Sequence, residues 1–244
     1  MTAESHGGCV TMPKDTFFNL PIEKRERFIE AALDEFSLHD YRTASVSRIV
    51  AALGIAKGSV YQYFDDKKEL YRYLVTLAAE TKFSSIDSSI STDASDFFAR
   101  FKQVVFHGAR FDFSRPRFAN ILYHATYEPS ETDILDISAQ LKESSYRYIR
   151  GLVDDGVKRD DLRKDLDVEF VVFALYQLTI SLRDFLSTKF AFSFKDAVRK
   201  GKGSPISDAA LNEVIDRLIE FFRSGIGKER NRTRRGPAPE KAAS

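Results

Sequence analysis

Apolar residues recur along this chain at the 3.6-residue period of the α-helix, and no stretch shows the sustained alternation, bounded by turn pairs, that a strand needs. The first helix is predicted to open near Pro21, a residue suited to a first turn, with Glu23 favourable at the positive helix end. Phe28, Ile29, Ala32, Leu33 and Phe36 form its apolar face. Ser45, read as an N-cap, starts a short second helix that turns Val46, Ile49, Val50 and Leu53 inward and stops at Gly54. After Gly54-Ile55-Ala56 a third short helix runs from about Lys57 to Tyr63. Asp66 and Glu69 have capping-box spacing and open a long fourth helix with Leu70, Leu74 and Leu77 on one face. The Ser/Asp/Thr-rich stretch from Ser84 to Ser95 reads as a loop.

Five further apolar stripes follow, built on Phe97 to Val105, Phe118 to Ala125, Ile134 to Leu152, Phe170 to Ser181 and Leu211 to Phe222. The third is expected to end between Gly151 and Gly156. Asp167 is a candidate cap for the fourth, and Gly201, Gly203 and Pro205 break the chain before the fifth. The pattern predicts an all-α protein of about nine helices with no internal repeat.

Composition narrows this picture. In 244 residues, 43% are hydrophobic and 30% charged, enough for a sizeable core and too apolar for global disorder. The formal charge of +1 excludes a polybasic binder but not a local basic face. Residues 1–70 carry a net −2, whereas residues 225–244 carry a net +4 and almost no large apolar residue. Residues 1–16 and the basic tail 225–244 are therefore expected to be disordered. Cys9 is the single cysteine, so no intrachain disulfide forms and a cytoplasmic location is expected. The nearly apolar run from Phe170 to Leu182 falls short of the roughly 20 residues that span a bilayer, so no membrane partner is expected.

Catalytic chemistry finds little support. The chain has no GxGxxG, no complete Walker A pattern, no GxSxG turn, no HExxH and no CxxC. His107 and His124 read as hydrogen-bonded, partly buried side chains, with Glu128 placed to pair with His124 at i,i+4. No catalytic residue, metal site or cofactor is assigned.

The second and third helices, joined by a tight turn, have the dimensions of a helix-turn-helix. Gly54 supplies the left-handed residue that ends the first of them, and Ile55 is expected to pack between the two. The third helix keeps Val60 for the core and leaves polar residues outward, as a major-groove reader requires. Residues Phe28 to Leu74, and above all Gly54-Ile55-Ala56-Lys57-Gly58-Ser59-Val60-Tyr61-Gln62-Tyr63-Phe64, resemble the DNA-binding domain of the TetR (tetracycline repressor) family of transcriptional regulators. Asp40, where the family often has glycine, is expected to tolerate the left-handed turn. Ala56 stands where a capping Ser is common.

The resemblance implies a three-helix helix-turn-helix DNA-binding domain over 17–66. It also implies a helical effector-binding and dimerisation domain over 67–224. It places Ser45, Ser47, Lys57, Gly58, Ser59, Tyr61, Gln62, Tyr63 and Lys67 at or near double-stranded operator DNA. Lys57 and Gln62 are expected on bases, and Tyr61 and Lys67 on phosphates, with Lys68 and Arg42 adding local positive charge. It further implies a cavity for a small apolar or aromatic effector. Phe97, Phe101, Tyr123, His124, Tyr127, Phe173, Tyr176 and Gln177 are the candidate lining. The expected protein is a ligand-responsive homodimer, a repressor on a near-palindromic operator, joined through the helices around Phe170 to Phe185 and Leu211 to Phe222. The alternative is a helical carrier or enzyme whose N-terminal helices make protein contacts.

Overall fold

Eleven α-helices carry the described residues of the computed structural model, which are 13–91, 95–127, 132–203 and 206–227. They are α1 (Asp15–Phe18), α2 (Ile22–Leu38), α3 (Val46–Leu53), α4 (Gly58–Tyr61), α5 (Lys67–Asp87), α6 (Phe97–Ser114), α7 (Pro116–Tyr127), α8 (Leu135–Lys158), α9 (Val168–Lys189), α10 (Phe194–Lys200) and α11 (Asp208–Ile226). A 3-10 turn, Thr132–Ile134, leads into α8. Among these residues there is no strand, and an antiparallel bridge joins Leu162 to Gly227. Cys9, Glu128, Pro205 and the basic tail from Lys228 onward lie outside the described residues.

The buried side chains form two cores. The first gathers Phe17, Phe28, Leu33, Phe36, Ile49, Val60, Phe64, Leu70 and Leu74, and takes in Ile121, Ala125 and Ile137 from α7 and α8. The second is built on Phe97, Phe98, Phe101, Phe113, Val172, Leu175, Leu186, Ile215 and Phe222. The sequence boundary at 66/67 does not separate them. The first half of α5 packs in the first core and Ile86, near its end, in the second.

Four elements differ from the sequence expectation. Helix α1 is absent from the hydrophobic pattern, and residues 13–16 belong to the fold rather than to a disordered lead. Pro13 is buried, and Phe17 is fully buried with its ring centroid 5.0 Å from Phe64 and 5.8 Å from Phe28. A four-residue helix has no periodicity to read, and tertiary packing holds it. Helix α5 runs on through Ser84 to Asp87 because Ile86 finds a buried place, which overrides the weak helix preference of serine. Helix α8 passes through both Gly151 and Gly156. At Gly156 the glycine serves close approach, since a Cβ there would lie 2.8 Å from Cδ2 of Phe97. Helix α10 stands between the fourth stripe and the expected break, which begins at its left-handed C-cap Gly201, and it is capped by the Ser193 hydroxyl, which accepts from the Asp196 N–H at 3.2 Å.

The expected caps of the longer helices form. Asp66 accepts from the Glu69 N–H at 2.8 Å, and Asp167 from the Phe170 N–H at 3.2 Å. In α5 the returning arm of the box reaches the Asp65 N–H rather than that of Asp66. Helix α9, at 22 residues, is long and apolar enough to cross a membrane by length and composition, beyond the shorter run read from the sequence. Its apolar residues divide between a face in the second core and an outward face.

Candidate functional site

The exposed tip of the first core is the helix-turn-helix. Gly54 has φ 66° and ψ 31°, the left-handed geometry that reverses the chain, and the Ile55 N–H donates to the Val50 carbonyl at 3.1 Å. Ile55 does not pack between the helices. It stays 37% exposed beside α4. Buried Val60 anchors α4, so Lys57, Gly58, Tyr61 and Gln62 face outward, with Ser47 exposed on α3. Ser45 and Ser59 are half-buried. Tyr63 is half-buried as well, its ring edge-on to Phe28 at 5.8 Å.

A helix of four residues needs bracing, and the lead-in supplies it. The Lys14 ammonium donates to the Tyr61 carbonyl at 3.0 Å and pairs with Asp65 at 2.7 Å. The Lys14 N–H donates to the Tyr63 carbonyl at 2.9 Å, and the Thr16 hydroxyl to the Gln62 carbonyl. These contacts hold the carbonyl end of α4, whose N-cap position, Lys57, makes no side-chain cap bond. Nothing in the spacing of Lys14 and Thr16 announces this role.

Glu35, on α2, holds α3. It accepts from the Ser45 N–H at 2.7 Å and from Arg48 Nε at 3.0 Å. Ser45 thus occupies the cap position with an extended backbone, but its hydroxyl caps nothing. Burial opposes ionisation of Glu35, and the hydrogen bonds from Arg48 and Ser45 outweigh it, so its pKa is held below the usual carboxylate value. A depressed pKa stabilises the fold above the unfolded value, and that stability is lost as pH falls through the folded value. Glu35→Gln is accordingly expected to cost about 1–3 kcal/mol at neutral pH and to lose that penalty in acid, read by urea unfolding across pH.

Asp40 is not left-handed. Among the described residues only Asp160 and Ala191 combine a side chain with positive φ. Asp40 instead supports the turn by accepting from the Thr43 N–H at 2.7 Å. Lys67 lies 4.6 Å over the Tyr41 ring and 3.4 Å from the Arg42 carbonyl, at the edge of the same face. Lys68 turns away and pairs with Asp136 of α8 at 3.3 Å, whereas Lys57, Arg42 and Lys67 lie near the tip beside Lys14 and Arg48, which are paired with Asp65 and Glu35.

A second feature lies between α5, α6, α7, α8 and α9: a cavity of about 170 Å³ walled by Phe83, Ile86, Val105, Phe113 and Ile149. Of the candidate lining residues, Tyr123, Tyr127 and Tyr176 lie in its wall. The other candidates do not. Phe97 and Phe101 stack on each other at 5.7 Å inside the second core. Phe173 and Gln177 are exposed, because inward phase on α9 belongs to Tyr176, Thr179, Ile180 and Arg183. His124, also on α7, is not part of the cavity wall.

The cavity's charged groups were not legible in the sequence. Lys82 and Asp112 pair at 2.7 Å within its wall. Arg183 lies between two rings, 4.1 Å from the Tyr123 centroid and 3.9 Å from that of Phe194, and donates to the Asn120 side-chain oxygen. Burial, then the nearby Asp184, push the Tyr127 phenol up to about 12. Burial, then a 2.8 Å hydrogen bond to Asp87, also raise that of Tyr148. Both phenols are neutral donors at physiological pH. Among the described residues no group of His, Cys, Asp and Glu is arranged to hold a metal ion.

Helix α7 joins the two features. Ala119, Leu122, Tyr123 and Thr126 face the cavity, while Arg117 and Asn120 grip α2. Arg117 Nε lies 2.7 Å from Asp34, and the Asn120 amide donates to the Ser37 carbonyl at 3.1 Å. A continuous polar line therefore runs from Arg183 at the cavity, through Asn120, to the end of the helix whose Glu35 holds α3.

Comparison with known proteins agrees with this arrangement. Residues 28–74 match the family described as bacterial regulatory proteins, tetR family, and residues 95–226 match the tetracyclin repressor-like C-terminal domain. The chain is 35% identical to a TetR family transcriptional regulator from Chloroflexus aurantiacus J-10-FL, covering 90% of this chain and 100% of that one, with a TM-score of 0.74. It shares its fold with a TetR-like regulator from Rhodococcus sp. RHA1 at 17% identity, covering 85% of this chain and 100% of that one, with a TM-score of 0.60. It is 21% identical over 164 residues to the HTH-type transcriptional regulator YhgD of Bacillus subtilis, which spans 67% of this chain and 84% of the relative. Helix-turn-helix, two-core architecture and matches over both parts converge: the chain belongs to the TetR family of transcriptional regulators.

Proposed function

We propose that this regulator is a cytoplasmic homodimeric repressor that binds a near-palindromic operator and is released by a small apolar or aromatic effector. The observation that carries the ligand response is the two-faced α7, which walls the cavity on one side and is bonded to α2 on the other. In this reading Lys57 and Gln62 meet base edges. Tyr61 and Lys67 meet phosphates, and Ser45, Ser47, Gly58, Ser59 and Tyr63 lie along the backbone or groove edge. The outward face of α9, with Phe170, Phe173 and Phe185, and Phe221 of α11 form the dimer seam, since exposed apolar stripes on long helices favour burial in a symmetric pair. The effector favours a spacing of the two heads that DNA does not, so its binding lowers operator affinity.

DNA binding by the full-length protein at rising salt tests this. The affinity is expected to fall by about tenfold or more between 50 and 200 mM salt, as phosphate contacts require. A carrier or enzyme with N-terminal protein contacts would retard no DNA at any salt. Once a release screen has identified the effector, Asn120→Ala tests the route. Wild-type coupling of about 5- to 150-fold in operator affinity is expected to shrink toward unity, while effector affinity stays within a few-fold. Fluorescence anisotropy with and without effector measures both.

A further inference from the structure

The cavity's charges do not cancel. Its wall carries two cations, Lys82 and Arg183, and one carboxylate, Asp112. Lys82 holds both oxygens of Asp112, at 2.7 and 2.8 Å, so that pair is internally satisfied. Arg183 has no equivalent partner. Its side chain is only 14% exposed, its faces are covered by Tyr123 and Phe194, and its bond to Asn120 is to a neutral amide. The nearest carboxylate, Asp184, stands 3.6 Å away on the solvent side and is itself mostly exposed.

Two polar atoms of the wall are left over. Arg183 Nε and Thr179 Oγ1 are buried and have no hydrogen-bond partner among the described residues. Thr179 and Arg183 are one turn apart on α9 and both line the cavity. Buried donors are rarely left unsatisfied, and a guanidinium with both faces covered and one free edge is matched by a carboxylate. The remainder of the wall is aromatic and aliphatic. A dry cavity of about 150 Å³ accommodates a benzene-sized molecule, and the 170 Å³ found here is close to that.

Resting on the reading of this cavity as the effector site, we propose that the effector is a small monocarboxylic acid. Its body is one aromatic ring or a short alkyl chain, and its carboxylate meets Arg183 Nε and Thr179 Oγ1. Asp184 meets Arg183 only at 3.6 Å from the solvent side, so the open Nε edge takes a single carboxylate from within the cavity. Because Arg183 also donates to Asn120, a carboxylate there competes for the guanidinium at the start of the line that leads to α2.

Calorimetric titration of the full-length protein with matched acids and alcohols tests this, using phenylacetate against phenylethanol and hexanoate against hexanol. The wild type is expected to bind each acid about tenfold more tightly than its alcohol. Arg183→Met is expected to erase that preference and Thr179→Val to narrow it. Circular dichroism checks that each variant folds, and Thr179→Val carries the test if Arg183→Met does not fold. Equal binding of acid and alcohol by the wild type overturns the acid head group but leaves the cavity as the effector site. A preference undiminished in the folded variants also overturns it. Binding of neither series overturns this proposal together with the reading of the cavity.

Discussion

Glutamate at both Phe170 and Phe185 is expected to leave the protein monomeric and to weaken its hold on a palindromic operator by about 100-fold or more. Positions 170, 173, 177, 181 and 185 recur every three to four residues and define one stripe of α9. On that stripe Phe170 is 65% and Phe185 55% exposed in the single chain, and on α11 Phe221 is 68% exposed. Burying a phenylalanine contributes about 1.5–3 kcal/mol, and a two-fold interface buries each position twice. Two charges on the stripe reverse that contribution in both copies. The loss on DNA follows because one head binds without the effective concentration supplied by the other. The positions are exposed in the monomer, so each chain should keep its helical fold by circular dichroism and lose only the stability that pairing adds. Sedimentation velocity and operator titration read the outcome together. A dimer that persists with both substitutions would place the seam elsewhere.

Alanine at Lys57 or Tyr61 is expected to cost about 5- to 100-fold in operator affinity each, within the range of one good DNA contact. The two losses should differ in kind. Tyr61→Ala weakens binding to all sequences about equally, as for a phosphate contact. Lys57→Ala relaxes the preference at one base position of each half-site. Neither change should alter stability, because both side chains are exposed and the bracing bond from Lys14 goes to the Tyr61 carbonyl, which alanine retains. Operator titration against a set of single-base variants separates the two patterns.

The reading head was largely legible in the sequence. Val46, Ile49, Val50 and Val60 fall inward by helical phase, Gly54 marks the reversal, and Asp66 caps α5 as its spacing with Glu69 requires. What escaped is held by tertiary contacts. Helix α1 is too short to show a period, and its function as a brace rests on Lys14 and Thr16 meeting backbone carbonyls some 47 and 46 residues away. The cavity escaped for a different reason. Helix α9 is apolar on two faces, so the stripe through Phe173 and Gln177 and the one through Tyr176 and Arg183 are equally plausible linings from the sequence alone. Arg183 in particular is not marked out by its place in the sequence. Only the approach of Tyr123 from α7 and Phe194 from α10 makes it a buried charge. The many phenylalanines divide likewise into core (Phe97, Phe98, Phe101), cavity wall (Phe83, Phe113) and outward stripe (Phe170, Phe173, Phe185).

The central claim is that a symmetric pair of these chains reads a specific DNA sequence, and selection of bound fragments from a random DNA pool by the full-length protein tests it most directly. The expected result is a near-palindrome whose half-site centres lie about 34–36 Å apart, one helical turn, with no enrichment by the Lys57→Ala, Tyr61→Ala double variant. Enrichment of no sequence, or of the same sequence by wild type and double variant alike, would contradict it.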